Sequence, residues 1–434
     1  MDRVKRTVAL ATLGCKTNQF ESAAMEERLK AAGFSVVPFA AGASLVIVNT
    51  CTVTAATDAQ SRNLIRKARR LNPACRVVVT GCYAQVDPEA LSAIPGVALV
   101  LGNTEKKNFL DYLEEGEAQT RVAVSDITAE TEAVLLPLTA FAERSRAFVQ
   151  IQNGCNAFCS YCIIPYARGR SRSVRPDEVI AQIRTLTARG YAEVVLTGIH
   201  IGGYGHDLTP VTTLLELVRR IEEETDLARL RLGSLEPTEI PDALIERMAD
   251  SPTLCPHFHI PLQAGDDAVL RRMNRHYDTH FFSDLVTRIY RLLPDAAIGL
   301  DLITGFPGES AKAFANTLHL VEDLPVSHLH VFPFSRRPGT PAVTMAGQVH
   351  GAIVKEQAAR LRELGNRKHR EFAQRFIGRT LEVVVEKGGG RGECRGLSRN
   401  YLNVLFPGSR HLAGRRLSVA VEAWRDGFLH GTPE

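Results

Sequence analysis

Residues 155–162 read Cys-Asn-Ala-Phe-Cys-Ser-Tyr-Cys, so Cys155, Cys159 and Cys162 share one short loop with gaps of three and two residues. Three thiolates can hold one small inorganic cluster, whereas a cubane of four irons with only protein ligands needs a fourth. Three therefore leave one iron open to bind and act on a small molecule. A closed zinc site would also want a fourth ligand, usually from a second paired element, and the next histidine along the chain is His200. The spacing favours an iron–sulfur cluster with one reactive corner over zinc or unpaired core thiols.

Three more cysteines stand in a second pattern. Cys15, Cys51 and Cys82 each follow an apolar, β-rich run, over residues 7–13, 45–48 and 76–80. These runs, with another at 97–101, alternate with amphipathic segments at 21–32, 58–71 and 106–115. Such alternation predicts an open parallel sheet wrapped by helices. In those sheets ligands bind outside the carboxyl ends of the strands, so three thiols from three strands are expected to converge and hold a second cluster. Cys75 begins its strand and reads as an ordinary buried thiol at the opposite end.

The pattern breaks near Leu136-Pro137 and then restarts. Strand-like runs at 146–152, 192–197, 229–234, 257–262, 297–303 and 328–334 have amphipathic segments between them, among them 177–188, 240–248 and 311–324. They predict a partial (β/α)6 barrel with its working face at the carboxyl ends of the strands. The Cys155–Cys162 loop follows the first of these strands. Gly198 with Gly202-Gly203, Glu236, Gln263, Asp301 and the turn 305–309 stand at the other strand ends, a ring suited to a polar small molecule. His257 and His259 share one strand face and are read as packing or hydrogen-bonding groups ahead of a metal pair.

A helix at 357–375 carries Arg360, Arg362, Arg367, Lys368 and Arg370. Short β-rich runs follow at 381–386, 401–406 and 417–422, with glycine turns such as Gly388-Gly389-Gly390, and predict a small all-β barrel. Arg391, Arg395, Arg399, Arg410, Arg415 and Arg416 accompany Tyr401, Phe406 and Trp424. That mixture suits stacking on unpaired bases and contact with phosphate; the alternative is a solvated barrel with an aromatic core. Two further basic runs fit an RNA partner: Arg62, Arg66, Lys67, Arg69 and Arg70 at helical spacing, and Arg168-Gly169-Arg170-Ser171-Arg172-Ser173 beside the reactive face. The expected architecture is α/β with units at 1–136, 137–370 and 371–434.

Composition sets outer limits. An apolar share of 45% and a charged share of 23% over 434 residues are ordinary for a globular chain. A net charge of +4 is too small alone to name a nucleic-acid partner. No run approaches the ~20 apolar residues of a membrane span. Arg3, Lys5 and Arg6 ahead of residues 8–15 imitate a short lipoprotein signal, but the run reads better as a first strand entering a turn. Nine cysteines, an odd count, without an export signal suggest reduced thiols in a cytoplasm.

The cysteine loop, with Tyr161 just before its last thiol, resembles the radical S-adenosylmethionine signature. Together with residues 12–19, 49–54, 81–85 and 155–170, and the small barrel behind them, it makes the chain similar to the methylthiotransferase family from end to end. This resemblance implies two [4Fe-4S] clusters: a catalytic one on Cys155, Cys159 and Cys162, whose open iron binds S-adenosyl-L-methionine, and an auxiliary one on Cys15, Cys51 and Cys82. Breaking an unactivated aromatic C–H bond calls for such cofactor radical chemistry. By placement Tyr161, Gly198, Glu236, Gln263 and Asp301 are expected to contact S-adenosylmethionine. The C-terminal barrel is similar to the TRAM domain, an OB-like tRNA-binding module. Gly14-Cys15-Lys16 with Asn18-Gln19, and residues 166–170, are most similar to the branch that modifies N6-threonylcarbamoyladenosine in tRNA; Thr17 is less hydrophobic than that pattern. The implied setting is cytoplasmic, with the tRNA anticodon stem-loop and an external electron donor as partners, and neither DNA nor a membrane. Isopentenyladenosine in tRNA and a ribosomal-protein aspartate are the alternative substrates, and a non-catalytic iron–sulfur RNA-binding protein the alternative outside enzymes.

Overall fold

The computed structural model describes residues 6–114, 120–133, 136–141, 145–386 and 392–434. Arg3, Lys5, Glu115, Gly388-Gly389-Gly390 and Arg391 lie outside the described residues.

The first unit is a six-stranded parallel sheet. Its spatial order is Ser35–Val36, Thr7–Thr12, Leu45–Thr50, Arg76–Gly81, Val97–Leu101, Arg121–Ala123. Every residue of Leu45–Thr50 is buried, as a central parallel strand covered on both faces requires. The helix after the first strand runs Lys16–Ala31, so it begins ahead of the expected residue 21. Its N-cap is Cys15, which makes no side-chain capping bond, so the usual starting signal is missing. Tertiary bonds fix the first turn instead. Asn18 donates to Leu13 O at 2.7 Å and Thr50 O at 2.9 Å, and its own carbonyl accepts from Asn49 Nδ2 at 3.0 Å. The next helix, Ala55–Leu71, opens on a capping box between Thr54 and Thr57.

All six strands of the second unit are present, parallel and in chain order. Ala147–Gln150, Glu193–Thr197 and Arg229–Leu232 form one group; His257–His259, Ala297–Thr304 and His328–Pro333 form the other. Bridges Leu230↔Leu254 and Ser234↔His259 join them. Among the described residues the first and last strands do not pair, so the barrel is open on one side. The first unit covers that side. Phe20 and Ala24 of the helix Lys16–Ala31 pack into the same core as Phe148 and Val149. Across the gap, Arg337 donates to Thr52 Oγ1 at 2.9 Å and Asp58 Oδ2 at 2.6 Å, and Ser335 Oγ accepts from Ala55 N at 3.0 Å.

The C-terminal unit is a closed five-stranded barrel ordered Thr380–Val385, Glu393–Ser398, Asn403–Pro407, Phe428–Pro433, Arg416–Arg425. The strands Glu393–Ser398 and Phe428–Pro433 fall outside the expected runs, because Cys-Arg-Gly and His-Gly interrupt their apolar alternation. The helix Gly351–Gln374 joins the two units: Ala358, Leu361 and Leu364 pack in the large core, Phe372 and Ala373 in the small one. The small barrel also plugs the floor of the large one. Arg231 donates to Arg399 O at 2.8 Å and Ser398 O at 3.0 Å, and Arg229 to Leu397 O at 3.1 Å. Both guanidiniums share Glu193, at 2.7 Å from Arg229 and 2.8 Å from Arg231. Burial alone would raise the Glu193 carboxyl, but Arg231 and Arg229 outweigh it and hold it at about 2.

Candidate active site

The two cysteine triads stand past strand ends: Cys15, Cys51 and Cys82 follow Thr7–Thr12, Leu45–Thr50 and Arg76–Gly81, and Cys155, Cys159 and Cys162 follow Ala147–Gln150. Gly14 has φ +95°, and a Cβ on it would lie 2.7 Å from Cys51 Cβ. Only glycine lets the Cys15 turn come so close to Cys51. The Cys51 thiol is pushed up to about 12 by burial and then by Cys82 and Cys15. Cys162 is likewise pushed up to about 12, by burial and then by Cys159 and Cys155. Each triad is thus one group of mutually interacting sulfurs. Cys75 is buried at the start of its strand, and Cys255 and Cys394 are buried elsewhere.

Each triad has a guanidinium aimed at a sulfur. Arg168 donates from Nε to Cys82 Sγ at 3.2 Å, and its other nitrogens bind Glu21 and Asn18. Arg275 donates to Cys159 Sγ at 3.3 Å and pairs with Glu236. Backbone donors add to these, as with Ala157 N to Cys155 Sγ at 3.4 Å. Neutral thiols do not need cationic donors, but thiolate sulfurs in an anionic cluster are stabilised by them. The six cysteines and their surroundings therefore fit two iron–sulfur clusters.

Arg168 corrects one expectation. In sequence the run at 168–173 reads as cations for a polyanion, but Arg168 is 0% exposed and Arg172 5%. Arg172 donates to Arg168 O and Arg170 O, each at 3.0 Å. Of the three arginines only Arg170 faces solvent, over the Phe158 ring at 5.7 Å. Arg168 is instead a structural link, since its loop follows Cys162 while its side chain reaches Cys82. Glu21, which it shares with Lys106, is held at about 2: burial would raise it, but Arg168 and then Lys106 prevail.

Sequence distance argues against His200 as a partner of the cysteine loop, yet its Nδ1 lies 3.7 Å from Cys155 Sγ. Its Nε2 lies 2.8 Å from Glu239. Burial would lower this imidazole, but bonds to Cys155 and Glu239 raise it to about 10. The ring is thus held as a hydrogen-bonding neighbour of Cys155. Gln152 sets this loop: its Oε1 accepts from Ile199 N at 3.0 Å and His200 N at 2.8 Å, and its Nε2 donates to Gly154 O at 2.7 Å.

A cavity of about 210 Å³ opens beside Cys162, lined by Tyr161, Gln263, Asp301, Phe334 and, from the first unit, Val53 and Thr54. Three of the five expected cofactor contacts thus meet in one place. Tyr161 stands edge-on to Phe306 with ring centroids 6.4 Å apart. Gln263, at φ +67°, sits between Asp301 O and Ile303 N in backbone bonds of 2.8 and 2.9 Å. Glu236 lies apart from this cavity, paired with Arg275 beside Cys159. Gly198 does not line the cavity either; a Cβ there would come within 2.9 Å of Gln152 O, so it permits the close approach of the His200 loop. The 272–275 segment latches the cysteine loop: Ser160 Oγ donates to Arg272 O at 2.8 Å, and Asn274 donates to Phe158 O at 3.2 Å. Sequence reasoning missed Arg275 because it belongs to no strand-end motif.

Below the cavity a polar column runs down the barrel interior. Asp301 accepts from His259 at 2.9 Å and lies 3.3 Å from His330. His257 stacks on Tyr401 of the small barrel at 4.3 Å, and Arg231 covers Tyr401 at 5.2 Å. His257 and His259 therefore do not act as a pair; His259 groups with Asp301 and His330. Lys16 faces this column, drawn down to about 8 by burial and then by Arg146 and Arg231.

The small barrel's aromatics do not form a base-stacking surface. Phe406 is buried in its core, Tyr401 plugs the large barrel, and Trp424 stands edge-on to His369. Arg410, Arg415 and Arg416 are exposed, the last beside Glu382. In the first unit Arg66, Lys67 and Arg70 are exposed, while Arg62 bonds Tyr83 and Arg69 bonds Cys75 O.

Residues 7–102 match the Uncharacterized protein family UPF0004, and residues 149–321 match the Radical SAM superfamily. The chain is 40% identical to a threonylcarbamoyladenosine tRNA methylthiotransferase of Bacillus subtilis, over 96% of this chain and 93% of that protein. It is 37% identical to the enzyme of that name from Aquifex aeolicus, covering 95% and 100%. It is 34% identical to a tRNA-2-methylthio-N(6)-dimethylallyladenosine synthase of Desulfitobacterium hafniense, covering 99% and 98%. Among solved structures, the radical S-adenosylmethionine methyltransferase TsrM from Kitasatospora setae shares the fold with a TM-score of 0.56 at 18% identity, over 78% of this chain and 75% of that one.

Proposed function

The chain belongs to the radical S-adenosylmethionine tRNA methylthiotransferase family, and from that premise we propose that it converts N6-threonylcarbamoyladenosine, beside the anticodon, into its 2-methylthio derivative. The observation that carries this reading is the pair of cysteine triads, each with its own arginine donor, with Cys162 of one triad lining a cavity that Val53 and Thr54, just past Cys51, also line. Cys155, Cys159 and Cys162 would hold one four-iron cluster, and Cys15, Cys51 and Cys82 the other. Bound there, the clusters and S-adenosylmethionine supply the electron, the radical and the sulfur that a C–H to C–S exchange needs.

The protein's own contribution is position and exclusion of water. Arg275 holds Cys159 and is itself fixed by Glu236 and by the Tyr277 ring at 5.0 Å. Tyr161, Gln263 and Asp301 form the cavity wall where S-adenosylmethionine would lie, while Glu236 acts through Arg275 beside Cys159 and Gly198 shapes the His200 loop. Val53 and Thr54 line the cavity from the first unit, so a substrate base there would lie between Cys162 and the segment that follows Cys51. Units at 1–136, 137–370 and 371–434 divide the work into sulfur donation, radical initiation and contact with the tRNA stem. An external donor would supply electrons. No described helix is long and apolar enough to cross a membrane, and cytoplasmic tRNA is the substrate pool this reading requires.

Anaerobic reconstitution tests the reading. About eight irons per chain are expected, and about four after Cys15, Cys51 and Cys82 are all changed to Ala. Full iron in the triple variant would remove the auxiliary site. Failure of the reconstituted protein to cleave S-adenosylmethionine under reducing conditions would favour a non-catalytic iron–sulfur RNA-binding protein.

A further inference from the structure

Lys16 follows Cys15 directly and opens the helix that covers the barrel's open side. Arg146, Arg231, Glu193 and Cys15 stand close enough to act on its charge, and His257 is among the groups that sense it. The ammonium therefore faces the barrel interior, next to one triad. It makes no hydrogen bond or ion pair among the described residues. The buried carboxylates of the barrel, Glu193 and Asp301, are already taken. Glu193 is shared by Arg229, Arg231 and Arg146, and Asp301 by His259 and His330.

A second group here also lacks a partner. His257 is 2% exposed, and both of its ring nitrogens are buried without a hydrogen bond. Its faces are covered by Tyr401 and His328, so only its edge can find a ligand. A buried polar group with no partner is costly. Cations thus outnumber free anions in this part of the interior, and both a donor and an acceptor stand idle beside the surplus charge.

We propose that Lys16 and His257 form a subsite for the N6 substituent of the substrate adenosine, with Lys16 binding its carboxylate and His257 a neighbouring polar atom. This rests on the proposed substrate, whose threonylcarbamoyl group carries a carboxylate and a hydroxyl. An isopentenyl group has no polar atom to offer, and it would leave both residues unpaired in the interior. A site built to bond a polar group rejects the analogue that lacks it more strongly than an apolar pocket rejects an added polar group.

The test uses the reconstituted full chain and anticodon stem-loops carrying threonylcarbamoyladenosine, its carboxylate methyl ester or isopentenyladenosine. Wild-type protein is expected to favour the acid over the ester by about tenfold or more in kcat/KM, the range of one charge-assisted hydrogen bond. In Lys16→Met the preference should collapse toward one, through loss on the acid alone, and Lys16→Arg should restore part of it. Equal losses on acid and ester in Lys16→Met, or a wild-type enzyme indifferent to esterification, would overturn the subsite. Should Lys16→Met fail to hold iron, the wild-type comparison and Lys16→Arg still decide. Methylthiolation of the isopentenyl stem-loop with none of the acid or ester would instead overturn the substrate reading.

Discussion

Replacing Arg168 by Met removes the guanidinium that joins the cysteine loop to the first unit. Glu21 then keeps only Lys106 as a cationic partner in a buried setting. Its carboxyl is held at about 2 against an ordinary 4.5, and at ~1.4 kcal/mol per pH unit this difference is worth about 3 kcal/mol. Breaking a buried pair by deleting one partner costs a similar amount, roughly 3–5 kcal/mol. Because Lys106 keeps its share of that shift, the expected loss for Arg168→Met at pH 7 is up to about 3 kcal/mol. The sign with pH follows from the depressed carboxyl. Its stabilisation is full above the ordinary value of 4.5 and is lost as pH falls through about 2, so wild type and variant should converge in acid. Anaerobic urea unfolding of the apo-protein measures the loss, and a double-mutant cycle with Glu21→Gln isolates the pair. A loss of the same size in both backgrounds, or one below about 1 kcal/mol in wild type, would refute the assignment of Arg168 as a buried ionic link.

Other perturbations probe separate parts of the site. Arg275→Met leaves Cys159 without its charged donor, and chelator competition should show one cluster held roughly 10–100-fold more weakly; unchanged retention of both clusters would contradict this. Glu309 is buried, accepts from Gly305 N at 2.6 Å and is pushed up to about 7 by burial. Because its carboxyl is raised, its stability is full below 4.5 and lost as pH rises through about 7. Glu309→Gln should therefore be more stable than wild type at pH 8, by up to about 3 kcal/mol, and no gain in denaturation at pH 8 would count against it. Changing exposed Arg410 and Arg415 to Ala should weaken tRNA binding and lower its salt slope by about one for each phosphate the two side chains neutralise; an unchanged slope in filter binding would show that these arginines do not touch the backbone.

The architecture was legible because its signals are local. Residues 45–48 and 77–79 are continuous apolar runs with a cysteine three residues further on, and the six barrel strands recur between amphipathic helices. What stayed hidden depends on tertiary contacts. The start of the helix at Lys16 carries no capping signal, since Asn18 and Asn49 fix it across strands. In sequence Arg168 looks like an RNA-facing cation because neighbouring Arg170 and Arg172 share its type; only the fold decides which one is buried against Cys82. His200 is 45 residues from Cys155 in sequence, and the helix Pro176–Ala188 and strand Glu193–Thr197, with two shorter elements before them, bring it back. The aromatics of the small barrel are composition without direction, and the structure turns Tyr401 into the large barrel and Phe406 into its own core.

The central claim concerns what the paired triads make, and nucleoside mass spectrometry of tRNA tests it most directly. In a strain lacking this chain, the 2-methylthio form of N6-threonylcarbamoyladenosine should vanish and the unmethylthiolated nucleoside accumulate. Restoring the gene should return it, whereas the Cys15, Cys51 and Cys82 triple variant should not. Persistence of the methylthio nucleoside in the deletion strain, or loss of the isopentenyl counterpart alone, would contradict the account.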